Sequence, residues 1–282
     1  MLPQTGPSVT ATADLTAARG PLPGPQRPRA DLRTNLPGSR ADLLLAGAVF
    51  AWITAVLLLD LAAGIWLQRL LGGLTWAFLL ALLRRETPLV RAQVAVVVAF
   101  ATAVEYTFSP LLEVYVYRLD NVPSFVPPGH GLVYLCALAI GRAAVVRRHG
   151  PVLVAVAVAA GGGYALWGLV GPDRLDVLGA FWYLCLLGFL RWGPSRLLYV
   201  GALVVVTYLE VVGTALGVWE WQPHDPTGIV AIGNPPSGAA GGYGWFDLAA
   251  LLAAPALVSA VERLNCAAHR RSPGSRSVSG TT

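Results

Sequence analysis

The sequence predicts an all-α fold: a polytopic membrane helical bundle of about eight transmembrane helices, with both termini in the cytoplasm. Three observations carry this. Of 282 residues, 55% are hydrophobic and only 12% charged, where soluble domains carry about 25% charged residues. The apolar residues are gathered in blocks, most of them long enough to cross a bilayer core. The arginines sit between those blocks with a strong bias to one side.

Residues 1–40 hold seven prolines and no apolar run, the composition of a disordered tail. Nothing in them resembles the apolar core of a signal peptide. Spans are expected near 43–64, 68–83, 90–109, 131–147, 151–171, 176–192, 196–218 and 245–263. The stretch 43–83 is too long for one ordinary helix. Asp60, Gln68, Arg69 and Gly72-Gly73 interrupt it, so a helical hairpin is expected there. The transmembrane domain is thus 41–264, followed by a second disordered cytoplasmic tail, 265–282.

With the N-terminus inside, the arginine groups at 19–40, 84–91, 142–148, 191–196 and 263–276 all fall inside. Only Arg69, Arg118 and Arg174 fall outside. That is the positive-inside asymmetry. The acids run the other way: Asp60, Glu105, Glu113, Asp120, Asp173, Asp176, Glu210, Glu220, Asp225 and Asp247 crowd the outer half. Topology rules do not require this, because acids contribute little to orientation.

Composition and motifs exclude several classes. The net charge is +5, yet its arginines are spread between apolar blocks and form no single basic face, so no nucleic-acid partner is expected. All 20 basic residues are arginine. Cys136, Cys185 and Cys266 show no pairing or zinc spacing. No HxxxH, HExxH, GxSxG or SxxK occurs, so neither a metal, another cofactor nor a serine nucleophile is expected.

Two outer segments are unusually dense in Pro, Gly, aromatics and ionisable groups. One runs from Glu105 to Gly131, the other from Trp219 to Asp247. The topology puts both on one side, so they can meet. Glu105 and Glu210 each lie in an otherwise apolar helix. A carboxylate there costs about 2.5–3.5 kcal/mol unless it is paired, protonated or facing a wet cavity. Such a group suits general acid–base work. His130 follows Pro127-Pro128-Gly129, a stiff lead-in that aims the ring, and serves as a proton partner. Asp247 is expected to start the last span, where a helix N-terminus favours a carboxylate; it completes the catalytic candidates. Tyr115, Tyr117, Trp219, Trp221, Asn234 and Trp245 are the substrate-binding candidates. The aromatics among them fit either an interfacial belt or a cage around an apolar chain or developing cation.

Glu105, Tyr115-Val-Tyr117, Val122-Pro123, Gly217-Val-Trp219-Glu-Trp221, Asn234 and Gly244-Trp245 resemble the carotenoid-biosynthesis membrane family that hydrates acyclic carotenoids. The resemblance implies a hydratase/lyase-type reaction, in which a terminal alkene is protonated and water is added. The expected partners are an isoprenoid or other lipid-soluble substrate and the membrane lipids; the oligomeric state stays open. Two alternatives also stay open. A transporter or channel predicts a route to both faces. A non-catalytic membrane partner predicts no cavity behind the loops.

Overall fold

The computed structural model describes residues 40–271, with side chains to residue 266. Of the expected tails, 1–40 and 265–282, residues 1–39 and 272–282 lie outside the described residues, whereas Arg40 opens the first helix and residues 265–271 continue the last one. Among the described residues nine α-helices follow in order: α1 (Arg40–Asp60), α2 (Ile65–Leu83), α3 (Pro88–Tyr106), α4 (Val126–Arg142), the single turn α5 (Ala144–Arg148), α6 (Gly150–Val170), α7 (Val177–Trp192), α8 (Arg196–Ala215) and α9 (Ala239–Arg271). Two three-residue strands, β1 (Tyr115–Tyr117) and β2 (Trp219–Trp221), pair with each other.

Six of these helical segments are long and apolar enough to cross a membrane: α1, α2, α3 with the turn after it, α6, α8, and α9 as far as Cys266. α7 is apolar but has 16 residues, and α4 has 17. Large apolar side chains stand exposed along the spans, among them Leu59, Leu80, Val156, Leu166, Leu184 and Leu252. A water-soluble protein rarely exposes so much apolar surface, whereas lipid solvates it. The chain therefore fits an integral membrane protein built of helices.

The expected hairpin over 43–83 is α1 and α2, with a turn at 61–64 where Ala63 N–H returns to Asp60 C=O at 2.9 Å. α3 begins with Pro88 behind Thr87, whose hydroxyl accepts from Val90 N–H, a regular N-cap with proline in the first turn. Asp176 caps the start of α7, where its side chain accepts from Gly179 N–H at 2.9 Å.

α4 is the axis of the bundle. Every residue from Gly131 to Ala139 is buried, and the helix packs against α8, α1, α3 and α2. At Gly201 of α8 an added Cβ would collide with the Ala137 carbonyl. The two backbones thus approach as small-residue interfaces allow.

Two helix starts differ from the sequence reading. α4 begins at Val126 rather than near 131, because Pro127 and Pro128 occupy its first turn, where a missing N–H costs nothing. α9 begins at Ala239 rather than near 245. Its glycines disfavour helix locally, but Gly241 presses on the Trp182 carbonyl of α7, and packing overrides propensity. Asp247 therefore lies two turns inside α9, not at its start.

Candidate functional site

The turns at the two ends of the bundle differ in kind. At one end the helices are joined by short links, and Arg142 makes a bidentate pair with Glu86 at 2.8 Å and reaches Asp42. At the other end long connections fold over the bundle. After α3 the backbone makes one π-helical turn, Thr107–Leu111, around Pro110, then enters β1. After α8 it turns at Gly217, whose φ of +69° suits glycine best, then enters β2.

β1 and β2 are antiparallel, with Tyr115 opposite Trp221, Val116 opposite Glu220 and Tyr117 opposite Trp219. Alternation sends successive side chains to opposite faces. The Tyr-x-Tyr and Trp-x-Trp pairs consequently share one buried face, while Glu220 is exposed on the other. Tyr115 packs on Trp221 with ring centroids 4.5 Å apart. Gly213 leaves room for the Trp219 ring to lie across α8. Glu113 and Asp120, flanking β1, both have φ of +51°, a conformation uncommon for such residues.

The buried face of this small sheet holds two carboxylates. Glu105, near the end of α3, accepts hydrogen bonds at Oε2 from the Tyr115 and Tyr117 hydroxyls, at 2.9 and 2.8 Å. Its Oε1 is 2.8 Å from His130 Nε2. Burial first, and then the neighbouring Glu105 carboxylate, hold the Tyr115 hydroxyl far above the ordinary phenol range; the same two causes raise Tyr117. Both tyrosines therefore stay protonated as donors. Glu210 of α8 accepts the indole N–H groups of Trp219 and Trp221 at Oε2, each at 3.1 Å. Its Oε1 has no hydrogen-bond partner among the described residues. His130 stacks on Tyr243 at 5.2 Å and meets the edge of Phe246 at 5.6 Å.

These groups line one cavity of about 260 Å³. Glu105, Glu210 and His130 share it with Tyr115, Tyr117, Trp219, Trp221 and Trp245, and Trp52, Ile53, Phe125 and Leu209 supply apolar wall. Two wall residues, Phe108 and Trp245, are themselves 36% and 50% exposed. The cavity combines a few polar groups with an apolar wall, as ligand sites do.

Other acids at this end have a different use: they fasten the loops. Asp176 accepts backbone N–H bonds from Gly179, Gly233 and Ser237 at 2.9, 2.9 and 2.6 Å. Arg174 donates to the carbonyls of Ile232, Trp221 and Gln222 at 2.5–2.6 Å, which ties β2 to the α6–α7 turn. Arg118 donates to the carbonyls of Asp60 and Ala63 and to the Asp60 carboxylate, which ties β1 to the α1–α2 turn. Gln68 completes that anchor through a 2.8 Å bond to Asp60. Arg118 and Arg174 thus act as clamps on the two strands. Asp225 gathers its own loop through Thr227, Ile229 and Val230.

Among the sequence candidates, Asn234 contacts the site indirectly: its Oδ1 accepts from Trp221 N–H at 3.2 Å. Asp247 does not line the cavity and lies buried deeper on α9. Tyr243, Phe246 and Trp182 line the cavity but were not distinguishable in sequence from aromatics of an interfacial belt. Their signal was helical spacing alone: Phe246 and Tyr243 lie one turn apart on α9. Among the described residues, no three or more His, Cys, Asp or Glu are gathered as metal ligands. No family model, curated protein or solved structure matches the chain.

Proposed function

We propose that this chain is a membrane enzyme that performs acid–base chemistry on the apolar end of a lipid-soluble, isoprenoid-like molecule. In this reading it has eight spans and both termini in the cytoplasm, and the cavity lies in the outer half of the membrane. The arginine asymmetry supports that orientation. The observation that carries the chemistry is the pair of buried carboxylates facing one aromatic cavity with unlike donor sets.

Glu105 accepts two tyrosine hydroxyl hydrogen bonds at Oε2, the environment of an ionised carboxylate. With Glu105 ionised, His130 carries its hydrogen on Nε2. Glu210 receives both of its donors on Oε2, which leaves Oε1 to carry a proton into the cavity. Glu210 is then the acid, and Glu105 with His130 the base. For a hydration of the kind the resemblance implies, Glu210 gives its proton to the terminal carbon of an alkene. The cation forms at the branched carbon and is stabilised by the faces of Trp219, Trp221 and Tyr115. Water bonds to that carbon and loses a proton to the Glu105–His130 pair. One proton enters the substrate and one leaves the water, so the net change is addition of water.

A deletion strain, with its lipid and pigment extract compared against wild type, supplies the assay. Glu105→Gln or Glu210→Gln should express and fold normally but lower product by about 100-fold or more, the scale of general acid–base contributions. Full complementation by the double variant would leave both carboxylates with a packing role only and remove this mechanism.

A further inference from the structure

A second polar cluster lies beneath the cavity. Asp247 Oδ2, Tyr134 OH and Tyr199 OH are buried without a hydrogen-bond partner, and their residues are 4%, 1% and 0% exposed. They come from α9, α4 and α8. Tyr199 stacks on Phe189 of α7 at 5.1 Å, and the Phe189 ring lies against Gly244 of α9, one turn before Asp247. Such orphans cost about 1–3 kcal/mol each unless something satisfies them.

Helical spacing connects this cluster to the cavity. His130 and Tyr134 are four residues apart on α4; Tyr243 and Asp247 are four apart on α9. Residues at that spacing share a face, one turn above the other. Since His130 stacks on Tyr243, Tyr134 and Asp247 form the next layer down. His130 Nδ1, the ring nitrogen not used by Glu105, is itself a buried orphan. Further along α4, Arg142 closes the column with Glu86 and Asp42.

We propose that Asp247, Tyr134 and Tyr199 form a proton-holding site one helical turn beneath the cavity, which exchanges protons with it through His130. The proposal rests on the acid–base reading of the cavity. A proton is the ligand that this donor set fits. An isolated carboxylate within apolar helices is costly, and protonation neutralises it. A carboxylic acid donates and accepts at once, and so does each tyrosine hydroxyl, so water between them can join the three. Two phenols and one carboxyl are a poor set for a metal cation, which takes charged or carbonyl oxygens or imidazole.

The neighbouring groups allow this. Besides Tyr134 and Tyr199, α4 carries His130, Cys136 and Arg142, and α8 carries Arg196, Tyr208 and Glu210. α3 carries Arg91 and Glu105, and α7 carries Tyr183, Cys185 and Arg191. Among the described residues none of the cations pairs with Asp247: Arg142 is engaged by Glu86 and Asp42, and His130 by Glu105. In the exchange, Asp247 gives its proton toward His130 Nδ1 while Nε2–H passes to Glu105 Oε1. The reverse sequence returns the proton.

Infrared spectroscopy of the purified full chain in lipid nanodiscs tests this without a substrate. At neutral pH the protein should show a protonated-carboxyl stretch that Asp247→Asn removes and that Tyr134→Phe and Tyr199→Phe shift. Glu210→Gln identifies any contribution from that acid. On mixing into heavy water, the Asp247 band should exchange, and His130→Phe should slow it by about 10-fold or more, equivalent to at least ~1.4 kcal/mol of barrier. Should Asp247→Asn fail to fold, the band shifts in the two Tyr→Phe variants carry the test. A spectrum unchanged by all three substitutions would overturn the proton site. A thermal midpoint raised by sodium but not by choline, and lost in Asp247→Asn, would replace it with a cation site. An exchange rate indifferent to His130 would overturn the connection to the cavity. None of these results depends on product formation, so they separate from failure of the hydratase reading, which complementation decides.

Discussion

The two ends of the bundle use charge differently. At the short-turn end, Arg142 serves two carboxylates side chain to side chain, and the result is a tie between helix ends. At the loop-bearing end, Arg118, Arg174 and Asp176 bond mostly to backbone groups, and the result is a shaped surface. A side-chain pair fixes a distance; a side chain that gathers several carbonyls or amides fixes the path of a loop. Only the second kind can hold Tyr115, Tyr117, Trp219 and Trp221 over two carboxylates. The lesson is that the acid-rich half of this chain contains two populations: Glu105 and Glu210 face the cavity, while Asp60, Asp176 and Asp225 fasten the loops around it.

Substitutions at the two ends should separate stability from cavity shape. The largest effect is expected at Asp176. Asp176→Ala strands the N–H groups of Gly179, Gly233 and Ser237 in a buried site, at about 3 kcal/mol or more in total. Thermal unfolding in detergent should show it, and Asp176→Asn, which keeps one acceptor, should recover part of the loss. An unchanged midpoint in Asp176→Ala would mean that the loop is held elsewhere.

Arg142→Gln comes next. It leaves Glu86 buried without its partner, a loss of about 3 kcal/mol by the usual cost of breaking a buried pair. Function should survive at low temperature, because the cavity lies at the other end. Arg174→Gln should show the opposite balance. The midpoint falls by less, since the guanidinium is partly solvated, but Trp219 and Trp221 lose their anchorage; their fluorescence should shift red and complementation should fall. If Arg142→Gln and Arg174→Gln affected stability and complementation in the same proportion, the division between the ends would fail.

The smallest effect is expected at Asp225. The Thr227 hydroxyl first, then the backbone N–H of Val230, hold its carboxyl below the ordinary carboxylate range. A lowered folded value means that its contribution is present at neutral pH and is lost only as pH falls through that value. The Ile229 and Val230 amide resonances should therefore keep their positions below the pH at which a free aspartate titrates. Asp225→Asn should abolish that acid transition without altering the cavity.

The sequence by itself determined the membrane character, the helix-rich fold and the existence of two unusual segments. Apolar blocks and interspersed arginines are properties of composition and period, and they need no contact to be read. It also singled out Glu105, Glu210 and His130, because an ionisable residue in an apolar helix is conspicuous in one dimension. Three things were decided by tertiary structure alone. The two strands exist only because residues 115–117 and 219–221 find each other across more than a hundred positions, and three-residue strands leave no propensity signal of their own. The early start of α9 depends on glycines whose reason is the α7 backbone. The separation of Asp247 from the cavity follows from that start: a residue two turns deeper on the same helix belongs to a different layer of the bundle. Depth along a helix is fixed by where the helix begins, and here packing, not local sequence preference, sets the beginning.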